Sequence, residues 1–168
     1  MELPQVEESD PDALGRICAI FEKLNSNGVE LSVYDLLTAR LYRSGIKLHD
    51  LWRASCDKHS RLNDWSGGKA ETLKLGVIIL RVLALLRDVT PTPKELIKLS
   101  PKDFEQDWNR AAQGVERALE HLESTSPDGF GVFDRQWLPG TGLIAVLAAG
   151  RQHIEEHKLG AAAVSYTH

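Results

Sequence analysis

Apolar residues along this chain recur every three or four positions and in no segment sustain a strict alternation, which predicts helices packed on one another rather than strands. Leu14, Ile17, Cys18, Phe21 and Leu24 form the first apolar face. Asp10-Pro11 opens it, because Asp can accept bonds from free first-turn amides and Pro fits where no amide bond is lost. Asn25-Ser26-Asn27-Gly28 closes it, since Asn and Gly tolerate the left-handed backbone of a helix end or tight turn. Ser32 and Asp35 have the spacing of a capping box, with Asp in place of the usual Glu or Gln. The helix they open is expected to run to about Arg43, apolar at Val33, Leu36, Leu37 and Leu41, before Ser44-Gly45 breaks it. A third helix carries Leu48, Leu51 and Trp52, and Asn63 to Gly68 reads as a polar loop.

From Lys69 to Asp88 the pattern is apolar nearly all round, as in the central helix of a bundle, with Leu75, Val77, Ile78, Ile79, Leu80, Val82, Leu83 and Leu86 facing the interior. Thr92-Pro93 and Ser100-Pro101 read as two further helix starts. The second opens a long amphipathic helix through Phe104, Trp108, Ala111, Ala112, Val115, Leu119 and Leu122. Ser124 to Gly131 is the longest loop, and Thr141 to His157 the last helix. The expected fold is all-α: a helical bundle of about six helices forming one domain over residues 1–168, with at most a short N-terminal strand.

Composition supports this picture. The 168 residues are 42% hydrophobic and 26% charged, ordinary for a globular chain able to bury a core without metal or disulfide staples. Cys18 and Cys56 form no C-x-x-C pair, and no apolar leader follows Met1, so a reducing, cytoplasmic setting is expected and a membrane is not. The run from Leu73 to Leu86 is interrupted by Lys74 and Arg81 and is too short to span a bilayer. Both ends look cut from something larger, the first dozen residues being polar and acidic.

The net charge of −4 argues against a free-standing electrostatic nucleic-acid binder, but the charge is uneven. Residues 1–12 hold five acids and no base, 13–88 carry net +4, and 89–168 net −3. Within the basic middle, Arg40, Arg43 and Lys47 would form one stripe if the helix continued. Their nearness to a Gly-containing turn and a helix N-terminus suits phosphate, although a solvated helix face is the simpler reading.

Other motifs are weaker. His153-Ile154-Glu155-Glu156-His157 matches the H-x-x-E-H zinc pattern but has no third ligand downstream, so it reads as a solvated helix end. Cys56-Asp57-Lys58-His59 is half a zinc site, and no metal ligands are assigned. The phosphate loop, the nucleophile elbow and the dinucleotide fingerprint are absent. Trp52, Trp65, Trp108 and Trp137 fall in separate segments and read as core or core-edge residues.

The run Ile20-Phe21-Glu22-Lys23-Leu24-Asn25-Ser26-Asn27-Gly28-Val29-Glu30-Leu31-Ser32, followed by Asp35-Leu36-Leu37-Thr38-Ala39, resembles the F-E-[RK]-[LI]-N-[ST]-x-G-x-x-L-S-x-x-[DE]-L-L-x-A signature of the domain-of-unknown-function 262 (DUF262) family. This is the ParB-like domain of GmrSD-type modification-dependent restriction proteins. Trp137-Leu138-Pro139 is similar to the family's late leucine-proline helix start. The resemblance implies the helical part of a domain that binds and hydrolyses nucleoside triphosphate, with Mg2+, and couples this to DNA cleavage by a nuclease domain such as an HNH module in the full-length protein. The family's Asp-Gly-Gln-Gln-Arg motif and an HNH-like motif are not among these residues. The resemblance therefore implies no catalytic residues here, but a nucleotide- or phosphate-binding edge at Asn25, Ser26 and Gly28, with Arg40 and Arg43 along the next helix. DNA and nucleotide would be partners of the full-length protein, and homo-oligomer formation stays open. The alternative is a helical protein-interaction or regulatory module without enzymatic activity.

Overall fold

A computed structural model describes residues 32–67 and 69–165, without the side chains at 69–73 and 156–165, and the isolated helical positions Gly15, Arg16, Ala19 and Lys23. Those four are exposed, as the polar side of the first amphipathic segment should be. Its apolar positions and any N-terminal strand lie outside the described residues.

Among the described residues there are seven α-helices and no strand: α1 (Val33–Tyr42), α2 (Leu48–Lys58), α3 (Ser60–Ser66), α4 (Lys69–Leu86), α5 (Pro93–Ile97), α6 (Phe104–Glu123) and α7 (Gly142–Ser165), with a 3-10 turn at Arg135–Trp137. The all-α bundle expected from the pattern is what forms. Helices α4, α6 and α7 pack pairwise as its centre, α2 and α3 lie along α6, and α1 bridges α2, α4 and α5. No described helix is long and apolar enough to cross a membrane.

The period of the apolar residues explains the centre. On α4, Leu75, Ile78, Ile79, Leu80, Val82 and Leu83 are buried, and Val77 and Leu86 pack partly buried against them. On α6 the stripe Phe104, Trp108, Ala111, Ala112, Val115, Ala118, Leu119 and Leu122 points inward, small residues letting the neighbouring helices approach. Gly76 on α4 serves the same end, because the ring of buried Tyr34 from α1 lies where a Cβ would be.

Three features differ from expectation. Residues 63–66, expected in a polar loop, are helical as the second half of α3, since Leu62 and Trp65 are three apart and both are buried. The long helix starts at Phe104, not at Pro101, because Asp103 takes a left-handed conformation (φ 54°). That turn is held by Arg87, whose guanidinium donates to the carbonyls of Ser100 (2.9 Å) and Lys102 (2.7 Å) and pairs with Asp107 (2.6 Å). Trp137 is not a core residue: it is 63% exposed, next to exposed Phe133.

Candidate functional site

The expected site centres on the start of α1. Ser32 caps this helix: its Oγ accepts from the Asp35 N–H (3.1 Å) and donates to the Asp35 carboxylate (2.7 Å), which also accepts from the Ser32 N–H (3.4 Å). The capping box read from the sequence is thus complete. It also places a carboxylate over the positive pole of α1, so an anion approaching that pole meets Asp35. Asn25, Ser26 and Gly28 lie outside the described residues.

Arg40 and Arg43 sit at the other end of α1. Arg40 lies eight residues beyond Ser32, about 12 Å along the axis. Its Nη1 donates to the carbonyls of Ile97 and of Leu99 (2.9 Å for the latter), so its charge rests on the C-terminal end of α5. Burial lowers its pKa. Arg43 is exposed at the C-cap of α1, and Gly45 (φ 80°) then turns the chain, so that Lys47 precedes α2 instead of extending the stripe. The structure therefore does not gather Arg40, Arg43 and Lys47 with the amides at Ser32.

A different pair of cations does approach Ser32. Lys74 and Arg81, two turns apart on α4, line a cleft of about 200 Å3 with Ser32, Val77, Ile78 and Thr141. Periodicity ranks both as interruptions of an apolar run. Their seven-residue spacing, which puts them on one side of a helix, is the signal the sequence offers.

The largest charged network among the described residues is structural. The Glu116 carboxylate accepts from the amides of Arg61 (3.4 Å) and Leu62 (3.1 Å) at the start of α3, while Arg61 pairs with Glu123 (2.9 Å) and faces Glu116 and Glu120. Trp65 Nε1 donates to Glu123 (2.6 Å). Burial opposes the Arg61 charge, but the bond to Glu123 and the three carboxylates together raise its pKa. Neighbouring His59 is buried, and desolvation lowers its pKa despite Glu116. The Ser55 hydroxyl donates to the Leu51 carbonyl (2.8 Å) and accepts from Trp108 Nε1 (3.0 Å), a packing role rather than that of a nucleophile.

His153 is exposed on α7, and the side chain of His157 lies outside the described residues. Cys56 is half-buried. Among the described residues no three His, Cys, Asp or Glu side chains stand close enough to hold a metal ion.

No family profile matches the chain, and no solved structure matches it. An uncharacterised protein of Methanocaldococcus jannaschii is 28% identical over 137 residues, which is 80% of this chain. The chain spans 23% of that relative's length.

Proposed function

We propose that this chain is the helical portion of a DUF262, GmrSD-like protein that restricts foreign or modified DNA in a nucleoside triphosphate-dependent reaction in the cytoplasm, and that it is not catalytic by itself. The observation that carries this reading is the continuous run from Phe21 to Ala39, whose Ser32 and Asp35 form the reciprocal cap that the signature's Ser and acidic positions require. In this reading Asn25 and Ser26 offer hydrogen bonds to a nucleotide, and Gly28 lets the backbone come close. Nucleotide, Mg2+ and DNA engage the complete protein.

A second reading rests on exposed apolar side chains. Leu143, Val146 and Ile154 on α7, together with Phe130, Phe133 and Trp137, are large apolar side chains more than half exposed, a composition that suits a protein-interaction module.

The test is activity in two forms. The isolated chain is expected to hydrolyse no nucleoside triphosphate and to leave DNA intact in Mg2+. The complete protein should cleave modified DNA only with triphosphate, and Asn25→Ala should abolish that cleavage. Metal-dependent nicking by the isolated chain, lost in Glu22→Ala or Asp35→Ala, would overturn the non-catalytic reading. Nucleotide-independent behaviour of the complete protein would favour the interaction module.

A further inference from the structure

Arg81 has no carboxylate or carbonyl hydrogen-bonded to it among the described residues, and its Nε is buried without an acceptor. An Nε–H removed from water without an acceptor loses hydration that nothing replaces. Its position adds to this cost. Nη1 lies 3.9 Å from where a Cβ on Gly142 would be, and Gly142 is the first residue of α7, a helix of 24 residues. The N-terminus of a helix is its positive pole, so a cation placed there is repelled rather than paired.

Lys74 and Thr141 line the cleft with Arg81, and the apolar floor of Val77 and Ile78 strengthens whatever charge is held above it. The amides of Leu143 and Ile144 close back on the carbonyls of Gly140 and Thr141, whereas the Gly142 N–H makes no backbone hydrogen bond among the described residues. Asp35, three residues beyond Ser32, has its carboxylate held by Ser32, whose hydroxyl is thereby spent on the helix cap. Two cations, a hydroxyl and a helix-end amide thus surround a space that no carboxylate lines among the described residues.

We propose that this cleft is a phosphate-binding site, with Arg81 as the main anchor, Lys74 as the second charge, and Thr141 and the Gly142 amide as neutral donors. Phosphate suits it because Arg presents a planar fork of donors to tetrahedral oxygens, and helix N-termini supply amides to the remaining oxygens. The phosphate can belong to a nucleotide or to a nucleic-acid backbone. This site is independent of the restriction reading, which places its ligand at residues 25–28 and along α1.

The experiment is a backbone-amide chemical-shift titration of the 168-residue chain with inorganic phosphate, a nucleoside triphosphate and a short DNA duplex, at matched ionic strength, together with thermal midpoints in phosphate and in chloride. Perturbations are expected to centre on residues 74–82 and 141–144, and phosphate should raise the midpoint over chloride. Arg81→Met should weaken phosphate binding by about tenfold or more, as loss of a charge-assisted contact does. It should also raise the midpoint in chloride, because the unpaired guanidinium is gone; an arginine needed only for packing would give a lower one. Lys74→Ala, at an exposed position, should weaken phosphate binding. Tighter binding of triphosphate than of inorganic phosphate assigns the site to a nucleotide, and tighter, steeply salt-dependent binding of the duplex assigns it to a DNA backbone. No perturbation at 74–82 and 141–144, or unchanged affinity in Arg81→Met, overturns the site. Perturbations confined to residues 25–47 would overturn it while supporting the restriction reading.

Discussion

Gly76→Ala sets two effects of known sign against each other. Alanine in place of a helix-interior glycine stabilises by about 1 kcal/mol through backbone entropy. Here the added methyl would lie 2.6 Å from Cε2 and 2.9 Å from Cδ2 of Tyr34, closer than carbon atoms pack. The Tyr34 ring is 1% exposed and its hydroxyl donates to the Leu48 carbonyl at 3.2 Å, so it cannot swing into solvent. Forcing a methyl into a filled core costs about 1–3 kcal/mol, so the net change should be destabilising, by roughly 1 kcal/mol. With Tyr34→Leu the space opens, and Gly76→Ala should then stabilise by up to about 1 kcal/mol, a coupling between the two sites of about 2 kcal/mol. Urea denaturation of the four proteins measures this, provided the slopes stay equal. If Gly76→Ala stabilises the unmodified protein, or has the same sign in both backgrounds, α1 and α4 are not in close contact and the reasoning fails.

Other expectations follow from packing and charge. Leu83→Ala removes a fully buried side chain from α4 and should cost about 2–5 kcal/mol; an unchanged thermal midpoint would remove α4 from the centre of the bundle. Burial lowers the pKa of His59 below its ordinary 6.5, Glu116 only partly opposing this and Lys58 adding to it. The unfolded chain then binds the proton first, so stability is full above pH 6.5 and is lost as pH falls through that value towards the folded pKa. His59→Asn should flatten that decline in denaturation midpoints between neutral and acid pH, and an unaltered profile would show that His59 is not its source.

The sequence made α4 and α6 legible because their faces obey one period over many turns, and tertiary packing has nothing to override there. It hid α3, whose seven residues carry no side-chain cap of their own. The acid that serves its first amides is Glu116, which stands so far along the chain from Arg61 that no local rule could find it. The Ser100-Pro101 start misleads for a similar reason, since Arg87 holds that turn from another helix. At the site, proximity along the chain suggests Arg40 and Arg43, but Arg40 reaches across to α5, and only the fold sets Arg81 beside Gly142.

Helix α3 is tied down at both ends by residues distant in sequence: Glu116 at its first amides, and Arg135, whose Nη1 donates to the Trp65 carbonyl at 2.9 Å. Seven residues are too few to nucleate a helix alone in water. It should therefore form late in folding, after α6 is in place, and its amides should exchange with solvent no more slowly than those of α6 allow. Glu116→Gln would accelerate exchange at Arg61 and Leu62 selectively, giving a local measure of how firmly the two halves of the chain hold each other.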